Sequence, residues 1–311
     1  MSRRGVIILN PTAGRGKSGR LRPRLEQMLK EAGADTGAAS SIVWTIRETS
    51  HPGQALEIAT DCASASVDVV AAAGGDGTLN EVLNGIVGTS AHLALLPLGT
   101  GNDFARSVGT YGRLPLAIET LFNGTPIAID VGNVAGRYFL NVAGCGFDAI
   151  VAEQTNRGLK RLNGTVAYLA AIIRTLARFR AAEFHVTADG ERRDLRAMLC
   201  SVANARTYGG GMRIAPGALL NDGHFDLCLL SEAGRYEFLK ALPQVFRGTH
   251  ITHPKVEMLK ARHVRIDTSP PLPVLVDGEV IGQTPAEFTI HPAAVTFLFP
   301  RRASTQTLIV D

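Results

Sequence analysis

The octapeptide Gly74-Gly75-Asp76-Gly77-Thr78-Leu79-Asn80-Glu81 sets three glycines, two carboxylates, a hydroxyl and an amide at the joint between two elements. Before it runs the apolar stretch Val67–Ala73, which reads as a buried strand; after it, Leu79, Val82, Leu83 and Ile86 keep helical spacing. Glycines let a backbone approach an anion closely, and the first amides of a helix point at it. A strand, a glycine turn and a helix start therefore form a phosphate cradle. Asp76 would repel a phosphate unless a cation came with it, so the segment points to nucleotide-metal chemistry.

Two more glycine-polar loops follow the same grammar. Asn10-Pro11-Thr12-Ala13-Gly14-Arg15-Gly16-Lys17-Ser18-Gly19 comes after the strand pattern Gly5–Leu9, and its Asn10, Thr12 and backbone amides suit phosphate oxygens. Gly14, Gly16 and Gly19 match a dinucleotide fingerprint, with Glu48 as a loose acidic partner. That fingerprint wants its first glycine at the strand end, where Asn10 and Pro11 stand. Gly16-Lys17-Ser18 looks like the end of a P-loop, but the glycine required five residues earlier is Pro11. A flexible connector and a phosphate-facing loop both remain open here. The third loop is Pro97-Leu98-Gly99-Thr100-Gly101-Asn102-Asp103-Phe104-Ala105-Arg106, where Asn102 or Asp103 reads equally well as a helix cap. Three such loops at successive strand ends converge at one edge of a parallel sheet, where ligands bind.

The elements that must position them divide the chain in two. Residues 1–126 alternate strands (Gly5–Leu9, Ser41–Ile46, Val67–Ala73, Leu93–Pro97) with helices (Arg20–Ala32, Gly53–Cys62, Thr78–Val87, Asp103–Val108, Leu116–Phe122). The expectation is an α/β domain with a parallel sheet and helices on both faces. Residues 127–299 carry short, frequent strand patterns at Ile127–Val131, Tyr138–Val142, Ala182–Ala188, Ala197–Val202, His224–Leu230, Val256–Leu259, Val264–Asp267, Val274–Val276 and Val295–Phe299. These imply an antiparallel β-sandwich, interrupted by helices at Thr165–Phe179 and Arg235–Phe246. The active site is expected in a cleft between the domains, and the tail 300–311 is expected to return to the first.

Composition narrows the partners. The 311 residues carry a formal charge of +4, with 45% hydrophobic and 19% charged residues, so the chain fits an anionic substrate or surface. Lysine-rich tracts with interleaved aromatics are missing, which argues against nucleic acid. Cys62, Cys145, Cys200 and Cys228 show no CxxC spacing, so neither a disulfide framework nor a zinc site is expected, and a cytoplasmic setting is. The apolar helix pattern Val166–Leu176 is too short to span a bilayer and contains Arg174, so membrane contact would be peripheral.

The motifs also carry a resemblance. Asn10-Pro11-x-x-Gly14, Gly74-Gly75-Asp76-Gly77-Thr78-x-Asn80-Glu81 and Pro97-Leu98-Gly99-Thr100-x-Asn102-Asp103-Phe104-Ala105-Arg106 look like the diacylglycerol kinase catalytic-domain family, which includes bacterial lipid kinases and sphingosine and ceramide kinases. Ala215–Leu227 resembles that family's metal-binding turn, and Asp277-Gly278-Glu279 its catalytic turn. The resemblance implies ATP and Mg2+. Asn10, Pro11, Thr12, Ala13, Gly14, Thr49, Gly74, Gly75, Asp76, Gly77, Thr78, Leu79, Asn80 and Thr100 would contact ATP. The Leu219 carbonyl, the Asp222 carboxylate and the His224 carbonyl would hold the metal, with Asp76, Asp103 and Glu279 in its water network. Asp277 or Glu279 would be the general base. Some bacterial members have a second acid where this chain has Asn221. On their own, Asp277-Gly278 and Asp222-Gly223 read as type I′ turns.

The implied reaction is γ-phosphoryl transfer from ATP to a hydroxyl of a diacylglycerol-like lipid, with phosphatidylglycerol-like or sphingoid acceptors as variants. NAD kinase shares the glycine motif and stands as the alternative, against the Pro97–Arg106 loop and the Asp277-Gly278-Glu279 turn. An oxidoreductase built on Gly14, Gly16 and Gly19 leaves the other two loops unexplained. On the substrate side, Arg157, Lys160, Arg161, Arg174, Arg178 and Arg180 alternate with Leu159, Leu162, Tyr168, Leu169, Ile172, Ile173 and Leu176. That pattern reads either as a solvated basic helix face or as docking on an anionic membrane. Cys145, Phe147, Tyr168, Tyr208 and Met212 are candidates for an acyl pocket, against ordinary core packing. A homodimer is possible.

Overall fold

Continuous apolar runs separated by helical periods build the first part of the chain into a parallel sheet. The computed structural model describes residues 3–35, 42–158 and 171–301. It divides into two compact units, one holding the chain up to Val131 and again from Pro292 onward, the other Gly132–His291. In the first unit, strands β1 (Arg3–Leu9), β2 (Ile42–Glu48), β3 (Val69–Gly74) and β4 (His92–Pro97) lie parallel in the order β2-β1-β3-β4. Every residue of β3 is buried, as a central parallel strand covered on both faces requires. Ile7, Leu9, Ala71, Ala73, Ala94 and Leu96 point to one face, where α2 (Arg22–Asp35) and α6 (Leu114–Asn123) supply Leu25, Leu29, Ile118 and Leu121. The alternate residues, Ile8, Val70 and Ala72, are equally buried on the face where α3 (Gln54–Ser64) and α4 (Asp76–Ile86) pack.

The final strand, β15 (Ala286–Phe299), corrects one expectation. Thr296 and Phe297 pair in parallel with His92 and Leu93 of β4, so the segment Val295–Phe299 joins the first unit's sheet and does not belong to the sandwich. Phe297 meets Phe104 edge-on, ring centres 5.1 Å apart, which rewards that placement. The chain thus re-enters the first unit through Pro292–Phe299; residues 302–311 lie outside the described residues.

The second unit is an antiparallel sandwich. The long strand β9 (Glu191–Ala203) serves both of its sheets. Its first half pairs with β8 (Ala182–Ala188), which continues through β12 (His263–Ser269) to Ala286–Thr289 of β15. Its second half pairs with β7 (Val142–Gly146) and β10 (Phe225–Ser231). Beyond these lie β13 (Pro273–Val276) and β14 (Glu279–Gln283) on one side and β11 (Val256–Ala261) on the other. Phe139, Phe184, Phe225 and Phe288 fill the core, with Phe139 stacked on Phe225 at 5.7 Å.

The single strand expected at Tyr138–Val142 is two: β6 (Arg137–Phe139), paired with the end of β5 (Thr125–Val134), and β7. The break falls at Leu140-Asn141, whose amides turn to a side chain described below. Helix α7 (Phe147–Gly158), unexpected from the sequence, follows β7 directly. Residues 171–176 form α8 and Arg235–Arg247 form α9. Leu159, Lys160, Arg161, Leu162, Tyr168 and Leu169 lie outside the described residues, as does the Arg157 side chain.

Candidate functional site

The three glycine-polar loops meet at the C-terminal ends of β1, β3 and β4. Asn10 leaves β1, donates from Nδ2 to Thr78 Oγ1 at 3.0 Å, and accepts from the Thr12 amide and hydroxyl at 3.0 and 2.8 Å. A Cβ on Gly14 would stand 2.5 Å from the Leu98 carbonyl oxygen, and one on Gly99 2.4 Å from Gly75 Cα, so glycine alone permits these crossings. Thr49 sits beside the first loop, its amide donating to the Leu9 carbonyl at 2.9 Å, and Thr100 is exposed next to Gly99.

Within this cluster α4 begins at Asp76 with no side chain capping it, and space above Gly77 is open. An uncapped helix start ringed by polar loops is an anion site in electrostatic terms. The Leu79 side chain is core and Asn80 is buried, so either would meet a ligand only through backbone. In the dinucleotide-like stretch, Gly14, Arg15 and Gly16 take successive left-handed conformations, and Gly19 packs on Pro11.

Asp76 has a task the sequence did not disclose. Its Oδ2 accepts from the Asp103 amide at 3.1 Å and its Oδ1 from the Phe104 amide at 3.0 Å, capping α5 (Asp103–Ser107) from another loop. Asn102, expected as a cap, is left-handed and closes its own loop instead, accepting from the Gly99 amide and donating to the Gly99 carbonyl. The Asp103 carboxylate faces the same point, since a Cβ on Gly101 would lie 3.3 Å from Asp76 Oδ2 and 3.6 Å from Asp103 Oδ2. Glu81 caps α3 in the same manner, taking the Gly53 and Ala55 amides at 3.2 and 3.1 Å.

In the second unit, Asp277 and Gly278 both have positive φ in the two-residue link between β13 and β14, the type I′ turn the sequence implies. The Asp277 carboxylate accepts from the amides of Leu140, Asn141 and Val142 at 3.1, 3.0 and 3.2 Å. This interaction splits β6 from β7. Glu279 is 54% exposed and pairs with Arg137 at 2.6 Å.

The turn Leu219–His224 differs from the expectation. Asp222 is not left-handed and no strand precedes it, so the turn is not type I′; instead Asp222 Oδ1 accepts from the His224 amide at 3.1 Å. Asp222 Oδ2 meets Lys260 Nζ at 2.5 Å, and Lys260 also lies 3.6 Å from Asp226 Oδ2. Burial pushes the Asp226 carboxyl above its ordinary range. An ammonium thus already stands between the acids, and the donors as folded do not fit a resident divalent cation. No cluster of three or more acidic, histidine or cysteine side chains suited to a metal occurs among the described residues.

Beneath α9 the second unit contains an apolar cavity of about 60 Å³ lined by Phe147, Leu199, Tyr208, Met212, Phe238 and Leu242. Phe147, Tyr208 and Met212 were expected there; Cys145 is instead packed in the sandwich core. One polar wall residue was not foreseen. Asp148 is 3% exposed, accepts from the Ala149 amide at 2.9 Å and the Ser201 hydroxyl at 3.3 Å, and burial pushes its carboxyl up to about 6. In the structure it stands in the first turn of α7, a helix the sequence does not announce. The four cysteines are free and buried.

Comparison with known proteins also divides the chain in two. Residues 4–134 match the model of the diacylglycerol kinase catalytic domain, and residues 141–299 that of the YegS C-terminal NAD kinase beta sandwich-like domain. The chain is 33% identical over 307 residues to the diacylglycerol kinase of Bacillus subtilis (strain 168), covering 98% of this chain and 99% of that one. Against the diacylglycerol kinase of Staphylococcus carnosus (strain TM300) it is 31% identical over 311 residues, covering 99% of both. The crystal structure of a diacylglycerol kinase from Bacillus anthracis str. Sterne shares the fold, with a TM-score of 0.73 at 22% identity over 96% of this chain and 97% of that one. Glycine loops gathered at the strand ends of the first unit, a sandwich in the second and identity above 30% along nearly the whole length lead to one statement: the chain belongs to the diacylglycerol kinase family.

Proposed function

We propose that the protein is an ATP-dependent lipid kinase that phosphorylates a hydroxyl of a diacylglycerol-like lipid. The observation that carries this reading is the convergence of the Asn10, Gly74 and Pro97 loops around the uncapped start of α4. Asn10–Gly14, Thr49, Gly74–Asn80 and Thr100 would hold the nucleotide, with α4 amides meeting phosphate charge. The family implies ATP and typically a divalent metal.

Asp277, with both oxygens on backbone amides, positions its hairpin. Glu279, exposed two residues on, is the better general base. It would take the proton as the lipid hydroxyl oxygen bonds to the γ-phosphorus; the bond to the β–γ bridging oxygen breaks, releasing ADP. The apolar cavity would receive an acyl tail. At about 60 Å³ it is well under the ~150 Å³ that admits a benzene ring, so entry requires flexible side chains such as Met212 to re-pack.

The test is a radiolabelled ATP assay against diacylglycerol, phosphatidylglycerol, sphingoid bases and NAD, with products identified by mass spectrometry. Label is expected in the lipid extract. Label in NAD and none in lipid would overturn the reading in favour of NAD kinase.

A further inference from the structure

Helix α9 has two apolar sides. Its inner side gives Phe238, Ala241, Leu242 and Val245 to the cavity wall. Its outer side shows Tyr236 at 72% exposure, Leu239 at 43% and Phe246 at 40%. Ile251, 41% exposed, lies in the turn that follows; Ile173, 61% exposed, is on α8, whose Ile172 and Leu176 share a core with Phe238. Five of the eight large apolar side chains exposed among the described residues therefore belong to this one region. A soluble surface does not ordinarily gather its apolar residues in this way.

The charges there are nearly all of one sign. Arg174, Arg178, Arg235, Lys240 and Arg247 are exposed on the two helices and the short segment after α8. The one acid in 171–180 and 235–247, Glu237, is engaged by Lys255 at 2.6 Å and lies 3.6 Å from His253. Lys240 sits 4.7 Å from the centre of the Tyr236 ring, an arrangement suited to a headgroup layer, where aromatic and basic residues work together.

We propose that the outer face of α9, with Ile173 and Ile251, docks on an anionic phospholipid bilayer. Apolar residues enter the acyl boundary, and the basic collar meets the headgroups. The proposal rests on the lipid-kinase reading and adds to it a place of entry: only the width of α9 separates the docked surface from the cavity.

The full chain, without ATP, is sedimented with phosphatidylcholine vesicles with and without phosphatidylglycerol. The wild type should bind the anionic vesicles. Tyr236→Ser/Leu239→Ser/Phe246→Ser should lower partitioning by about tenfold or more. Arg174→Glu/Lys240→Glu/Arg247→Glu should abolish the preference for phosphatidylglycerol. Leu239→Trp should be quenched by brominated lipid. Tyr236→Ser alone repeats the test should the triple variant unfold.

Equal partitioning of wild type and serine variants overturns the proposal. So does a wild type that ignores vesicles but is dimeric in analytical ultracentrifugation and becomes monomeric with the serine changes, since the face would then join two copies. Vesicle binding as expected with no lipid phosphorylated would instead sink the kinase reading alone.

Discussion

Asp277 and Glu279 share one hairpin yet face different demands. An asparagine at 277 turns an NH2 toward one of three donating amides, so Asp277→Asn should lower both activity and melting temperature. Glu279→Gln should cut turnover by about 10²-fold or more while leaving thermal unfolding unchanged; equal effects on both measurements would show that Glu279 is also structural. Asp148 gives a pH signature. Its carboxyl titrates at about 6 when folded and near 4 when unfolded, so between these values the folded state holds the extra proton. Stability is then full below about pH 4, falls as pH rises, and levels off above about 6, lower by on the order of 3 kcal/mol. Asp148→Asn should melt higher than wild type at pH 7.5 and lose that advantage near pH 4.5, as read by thermal scans. Lys260, half exposed, should contribute little, so Lys260→Gln should cost no more than about 1 kcal/mol. That variant should bind nucleotide-free Mn2+ more tightly than the wild type, as read by calorimetry. Residue types were legible in the sequence, but their partners were not: nothing local says that Asp76 caps α5 across a loop or that Lys260 reaches Asp222.

At the scale of elements, the loop crossing at Gly75 and Gly99 is the tightest feature of the candidate nucleotide site. Gly99→Ala forces a Cβ to 2.4 Å from a backbone carbon, so one loop must move. The expected result is a stability loss of about 1–3 kcal/mol, together with weaker binding of a fluorescent ATP analogue. Normal binding would show that the loops do not need this contact. The first unit's strands were readable because buried parallel strands are unbroken apolar runs, as in Val69–Gly74. Helix α7 escaped notice because its apolar positions follow a glycine-rich strand with no distinct start signal. The split at Leu140-Asn141 depends on a carboxylate from far along the chain and leaves no local trace.

For the whole molecule, β15 decides which fragments can stand alone. A piece ending at Val131 lacks the strand that pairs with β4 and the Phe297 ring that packs on Phe104. It should remain largely unfolded by circular dichroism, and a linker restoring residues 292–301 should recover cooperative melting. A stable, cooperative 1–131 fragment would show that the returning strand is dispensable. The sequence marked Val295–Phe299 as a strand but put it in the sandwich, because parallel and antiparallel partners ask for the same apolar residues.

The same strand has a consequence in time. A ribosome delivers the polypeptide from its N-terminus, so the residues that open the first unit emerge early and wait. Most of Gly132–His291 leaves the ribosome ahead of Thr296 and Phe297, which pair with β4. The part of the protein begun first is finished last. During synthesis, the nascent β4 waits for the partner that Thr296 and Phe297 provide.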